Sequence, residues 1–598
     1  MNTNNTSITF VTSFADIYKE NIVEDKTIEW RINKFRNIAE TGIHIHLFLD
    51  IDMCKYGEHI KQFNEFTPLK NSNGTPFNSS TKLPVTISND APLERSILNL
   101  YGYKNIHIET FDLNDCWVSK CCQELDFTLP TNLNKMKDTK EFMILMNSKA
   151  EFLKKAIETN YWNSTHFAWL DFNISYIFKE MPQTLEYLKI LTKRPLNPEF
   201  LVIPGSWDRK GMIETDSNIM NTIYWRFFGG FLLGDAKSVS KLYDLYRDYF
   251  VNFIKYNKKL VWEVNFWAWL EVNTIWCPTW YSADHNDSII KIPANFCSML
   301  LNDDLKKTNY PYPKVDTFAP GSASYVYHNG KHILNTRYLN YSIMNNGNYD
   351  IEHPKNIIIS KNYVSYLKDD FMPYFFSQMQ DITVMLPSNN CYFYGLEDIR
   401  LYSIGETIKF IATNINYSPT GYNRMIIGEY DPIMCEYKDC LVVFPPYDTV
   451  CEKNWIPLVK NDEEFFIYKW FPMEIGKMNE NNDTLEIVKR YKINSPWFHK
   501  VRGSSTFVDN GEFLVGVVHF SEETTPRRYY HMLVALDKET FKPMKFSDNF
   551  IFQYLGIEFC IGFTIKNEEY IFWISKKDRD AVMVNIPMDK IILKYDFA

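Results

Sequence analysis

The chain has 598 residues, 45% of them hydrophobic and 16% aromatic, which is enough for several packed cores and excludes a disordered polypeptide. A formal net charge of −9, without a basic tail or a Lys/Arg run, excludes the nucleic-acid-binding classes. Eleven scattered cysteines show neither CxxC nor zinc-type spacing. No apolar run approaches the roughly 20 residues of a membrane-spanning helix. With no signal-peptide pattern, the expectation is a soluble cytoplasmic protein with free thiols.

Strands and helices alternate through the first half. Ile8–Ser13 predicts a buried strand, residues 26–40 a helix, and Ile43–Asp50 a second strand ending on an acid. Leu93–Tyr101 predicts a helix, Ile106–Glu109 a strand, and 140–159 one long amphipathic helix. His166–Asp171 and Glu199–Ile203 predict strands, and 234–258 a helix. This order predicts an α/β domain with a mostly parallel sheet, whose ligands bind beyond the carboxyl ends of the strands. Asp171 sits at one such end.

The texture changes between 301 and 322, where polar residues, three prolines and a glycine follow one another. The expected division is a first domain over 1–305, a linker over 306–318, and a second domain over 319–598. In the second domain, short strands are joined by turns such as His328-Asn329-Gly330. Polar clusters recur about every 50–60 residues, a period of stacked or radial repeats. Five units of four strands predict an all-β, five-bladed β-propeller, with a pair of β-sandwiches as the alternative.

Three features carry chemistry in the first domain. Asp171 and Asn173 follow a strand and offer hard oxygen donors of the kind that hold Mg or Mn. Gly229 and Gly230 allow close backbone approach to a ligand. Glu263 could act as a base or bind an acceptor, and His285 could be a third metal ligand. Each alone is more often a cap, a solvated helix residue or a surface histidine. Together with Thr9–Ser13 and Met146–Leu153, these elements resemble the HtrL/YibB-like glycosyltransferases, related to the GT-A fold, over about residues 6–290. The resemblance implies a nucleotide-sugar donor and a Mn or Mg ion held by Asp171, Asn173 and His285. It further implies that Glu263 takes the late acidic position and that Lys149 lies near the donor. Asn173 departs from the usual carboxylate.

In the second domain, Glu397 and Asp398 stand beside Arg400. Neighbours on a strand point to opposite faces, so only one of the two acids need face an axis. A shielded carboxyl there would have a raised pKa and could serve as a general acid on a glycosidic oxygen. Arg337, Lys453, Arg502 and His519 suit a phosphate, and Asn340, Glu452, Tyr530, Glu558 and Asp578 suit hydroxyls. The alternative is a set of ion pairs between blades. The segments around Arg337-Tyr338-Leu339-Asn340, Gly395–Arg400, Glu452–Trp455, Arg502–Ser505, His519, Ile557–Phe563 and Asp578-Arg579 resemble the β-1,2-mannoside phosphorylases and β-1,2-mannosyltransferases. That resemblance implies Asp398 as proton donor, with Arg502 and His519 near the phosphate or activated donor. Ile399 replaces the usual proline. The combined expectation is a two-module glycosyltransferase acting on a nucleotide sugar and a glycan acceptor. The alternatives are a glycan-binding propeller, or a phosphorylase or hydrolase beside an inactive first module.

Overall fold

The computed structural model describes residues 7–17, 26–54, 100–209, 219–380, 386, 391–479 and 483–597. They form two compact units, Met1–Phe296 and Cys297–Ala598. Among the described residues, no helix is long and apolar enough to cross a membrane. The expected helix over 93–101 lies almost wholly outside the described residues.

The first unit is built on a seven-stranded sheet. Its strands are β1 (Ile8–Phe14), β2 (Ile45–Asp50), β3 (Ile106–Phe111), β4 (His166–Leu170), β5 (Leu201–Gly205), β6 (Phe231–Asp235) and β7 (Thr279–Ser282), in the order β3-β2-β1-β4-β6-β5-β7. Only β6 runs against its neighbours. β1, β4, β5 and β6 are buried along their whole length, and their sequences are correspondingly rich in apolar residues, with Thr9, Thr12 and Ser13 as buried polar positions in β1. From β1 the chain moves outward to β2 and β3, then returns to the other side of β1 as β4. This reversal makes a switch point between β1 and β4, and Asp171 is the first residue beyond β4 there.

The expected single helix over 140–159 is two helices, Lys140–Asn147 and Lys149–Thr159. Ser148 separates them, its hydroxyl bonding back to the Ile144 carbonyl at 2.9 Å in competition with the helix ladder. The break places Lys149 at the start of the second helix with its side chain buried.

The second unit is a succession of antiparallel sheets, opening with the strands Ala319–His328, Glu397–Ile404, Ile456–Lys460, Arg502–Gly503 and Glu558–Lys566. Each sheet touches the next, and the fifth touches the first, which makes a propeller-like arrangement. Asn329 and Gly330 join the first two strands with φ of 47° and 77°, the left-handed pair of a tight hairpin. The residues expected to form the linker over 306–318 begin instead with a strand, Lys306–Thr308, paired with Arg579–Pro587. Met299–Leu300 pairs with Phe550–Ile551, and Leu593–Asp596 with Pro543–Ser547. The break between units therefore falls at Phe296, earlier than the proline-rich stretch suggests.

Candidate functional site

In the second unit the polar centre forms around Arg337. Its Nη1 lies 3.0 Å from Asp398 Oδ1, its Nη2 3.6 Å from Glu397 Oε2, and its Nε donates to Ser360 Oγ at 2.8 Å. Strand alternation should have separated the two acids. It does not, because a register shift falls between Glu397 and Arg400, and Asp398 adopts φ of 49°. The bulge turns both carboxylates toward one guanidinium. Gly395 fixes the approach: its φ is 79°, and a Cβ there would lie 1.9 Å from the Ser360 carbonyl oxygen.

Ser322 donates to Asp398 Oδ1 at 3.1 Å, and Lys453 Nζ stands 3.9 Å from Glu397 Oε2. Tyr341 donates to Asp578 Oδ2 at 2.8 Å. The two aspartates respond to this setting in opposite directions. Burial would raise the Asp398 pKa, but Arg337, Arg400 and Lys453 outweigh it and hold the carboxyl below its ordinary value. Burial raises Asp578; Arg337 and Tyr341 oppose the rise, and the Asp398 and Glu397 charges add to it. The expectation of a raised pKa at Asp398 is thus corrected: the carboxyl with the raised pKa is Asp578. Glu397 raises Lys453 above the ordinary lysine value despite burial. Tyr349 and Tyr529, which periodicity did not single out, have phenols raised by burial and by the Asp578 charge.

Other expected ligand-binding residues have partners within the fold. Arg400 is fully buried and donates to the Ser504 carbonyl, the Asp398 carbonyl and Asn454 Oδ1. Burial lowers its pKa to about 10. Asn340 bonds Ile357 and Ile359 backbone. Glu452 accepts from Thr449, Trp455 and Tyr468. Glu558 accepts the backbone N–H groups of Phe552, Gln553 and Tyr554, and burial raises it to about 7. Tyr530 points to the opposite face from His519 and donates to Glu522 at 2.9 Å, so its neighbour Tyr529 is the one stacked on His519. His519 is buried and bonded to Ser504 through Nδ1 at 2.9 Å; burial, His531 and the two arginines Arg400 and Arg502 push it well below an ordinary histidine. Arg502 is exposed opposite His519 in register, and Arg579 stands 3.6 Å from Glu352.

In the first unit, the buried Lys149 ammonium lies 2.8 Å from Glu263 Oε1, 2.8 Å from the Gly229 carbonyl and 3.0 Å from Asp171 Oδ1. Burial opposes the charge, but the two carboxylates raise the Lys149 pKa above its ordinary value. Trp169 donates its indole N–H to the same Asp171 oxygen at 2.7 Å. A Cβ on Gly229 would lie 2.0 Å from Glu263 Oε1, so this position admits only glycine. Glu263 is buried at the start of the helix Glu263–Asn273, and its charge is matched by Lys149. That geometry ties its Oε1 to Lys149. Asn173 is half-buried beyond β4, and His285 is exposed, edge-on to Tyr176 at 6.0 Å. Burial and Lys137 lower His285, while the Asp171 charge acts the other way. Asp171 Oδ1 is taken by Lys149 and Trp169; its Oδ2 lies on the side where Gly230 carries no Cβ.

A family model described as "Bacterial protein of unknown function (HtrL_YibB)" matches residues 123–261, a span that contains Lys149, Asp171 and the Gly229-Gly230 pair. No curated protein sequence matches the chain. Among solved structures, a β-1,2-mannobiose phosphorylase from Listeria innocua is similar at 12% identity, over 48% of this chain and 98% of that one, with a TM-score of 0.34. A mannose phosphorylase from Leishmania mexicana is similar at 12% identity, over 49% and 93%, with a TM-score of 0.33. A glycosyl hydrolase from Bacteroides ovatus is similar at 10% identity, over 49% and 92%, with a TM-score of 0.32.

Proposed function

We propose that the chain is a two-module carbohydrate-active enzyme whose second unit, a five-bladed β-propeller, acts on mannoside-like linkages, with transfer to a glycan acceptor as its reaction. The observation that carries this reading is the gathering of Glu397, Asp398 and Asp578 around Arg337, with the pKa of Asp398 displaced downward and that of Asp578 upward. Carboxyl groups whose pKa values are pushed apart suit acid–base chemistry at a glycosidic oxygen. Asp398 is the proposed proton donor, with Asp578 as the neighbouring carboxyl. Arg337, Lys453 and the exposed Arg502 supply cations for a phosphate or an activated donor.

The first unit is proposed as a GT-A-like module using a nucleotide sugar. Asp171, Asn173 and His285 would hold Mn or Mg, which neutralises a leaving diphosphate when bound. The donor set fits a hard cation through the oxygens of Asp171 and Asn173, and the missing Cβ of Gly230 leaves space beside Asp171 Oδ2. Lys149, oriented by Glu263 and Asp171, presents positive charge to the same region.

The full chain should be assayed on β-1,2-mannosides with and without phosphate, on mannose 1-phosphate, and on nucleotide sugars with Mn. Asp398→Asn should abolish turnover of the mannosides, and Asp171→Ala the Mn-dependent turnover. Loss of glycan affinity without loss of turnover in Asp398→Asn would instead make the propeller a binding module.

A further inference from the structure

We propose that the edge of the N-terminal sheet carries a transition-metal site, formed by His46, His107 and Glu109 and suited to zinc. It is distinct from the Asp171 region: β3 lies three strands from β4, roughly 14 Å across the sheet.

The strands themselves assemble the ligands. β2 and β3 run parallel with His46 directly opposite His107, so both imidazoles leave the same face. Glu109, two residues beyond His107, returns to that face. The ligand atoms of the three side chains lie within 4.8 Å of one another, and among the described residues this is the group of His, Cys, Asp and Glu that meets so closely. His46 Nε2 and Glu109 Oε2 are 3.0 Å apart. Two ligands each about 2.0–2.1 Å from a tetrahedral zinc stand about 3.3 Å apart, so this pair needs only a few tenths of an ångström of adjustment.

A second observation singles out His46. Its side chain is fully buried and its Nδ1 has no hydrogen-bond partner, so the polar contact of this ring is made from the Nε2 that faces Glu109. The rings are held in place: Phe48 stacks on His46 at 4.6 Å and Tyr161 on His107 at 4.3 Å. Glu109 is partly exposed, which gives an ion a route in and a water to complete four-coordination. Two imidazole nitrogens and one carboxylate oxygen favour zinc or a similar ion over magnesium or calcium, which take oxygen ligands. A simple His–Glu hydrogen bond within the sheet is the competing explanation of the same geometry.

Cobalt(II), followed by competing zinc, is to be titrated into metal-free full-length protein and into His107→Ala, Glu109→Gln and Asp171→Ala. The expected result is one tightly held cobalt per chain, with the visible bands of nitrogen and oxygen ligation and no thiolate charge-transfer band, beside any weaker cobalt at the Asp171 oxygens that excess magnesium displaces. Zinc should displace the tightly held ion. Affinity at that site, read from its bands with excess magnesium present, should fall at least about tenfold in His107→Ala and Glu109→Gln and should persist in Asp171→Ala, which removes only the oxygen site. Glu109→Gln keeps the shape of the site and decides the matter should His107→Ala fail to fold. Equal cobalt affinity in wild type and Glu109→Gln would overturn the proposal. So would a thiolate band, which would assign the ion to exposed thiols such as Cys277 or Cys451.

Discussion

Lys149→Met is expected to turn a matched charge cluster into an unmatched one. The ammonium stands 2.8 Å from Glu263 and 3.0 Å from Asp171, with the Lys149 side chain 1% exposed and Glu263 7%. Methionine fills most of the volume and removes the cation. Taking one partner from a buried pair costs about 3–5 kcal/mol, because the remaining charge stays desolvated. Asp171 is 36% exposed and can be hydrated, so Glu263 bears the loss, and about 3 kcal/mol is expected. At roughly 2–4 °C per kcal/mol, the calorimetric transition of the N-terminal unit should fall by about 6–12 °C. Adding Glu263→Gln removes the stranded charge and should restore about half of that loss. A single variant melting within about 1 °C of wild type, or a double variant showing the plain sum of the two losses, would refute the reasoning.

Glu558 gives a pH signature. Its pKa rises from 4.5 unfolded to about 7 folded, so its contribution to stability is complete below 4.5 and disappears as pH rises toward 7. The size is about 3 kcal/mol from 2.5 pH units, and urea melts of Glu558→Gln between pH 5 and 7.5 should lack that slope. Asp578→Asn keeps the shape of the side chain beside Tyr341 and should lose about a hundredfold or more in turnover. Arg400→Met should destabilise the second unit by about 3 kcal/mol in denaturant melts, whereas the exposed Arg502→Ala should leave the melt unchanged and weaken phosphate binding.

The sequence made the alternation of the first unit legible because buried parallel strands announce themselves as continuous apolar runs, as in Phe167–Leu170. It also made Glu397, Asp398 and Arg337 legible as one constellation. The ionisation of Asp398 was not legible, since it depends on a guanidinium arriving from 61 residues away, and the Tyr341–Asp578 bond spans 237. Tyr529 beside His519 was not legible, because strand parity is invisible until the register with His519 is known. Asn340 and Glu558 bond backbone groups where strands enter turns, and Glu452 bonds the side chains of Thr449, Trp455 and Tyr468, partners that no period records. The His46–His107–Glu109 group was missed because it depends on the pairing of two strands far apart in sequence, and no local spacing records that pairing.

The strand Lys306–Thr308 has a practical consequence. A chain cut at 319, where composition suggests a clean start, would lack the outermost strand of the sheet Glu558–Pro587 and the Met299–Leu300 segment beside Phe550. The uncovered edge would offer unpaired N–H and C=O groups to any passing strand, an invitation to aggregation. Dissection of this protein into working halves therefore belongs at Phe296, and failure of a shorter fragment to stay in solution would say nothing about its chemistry.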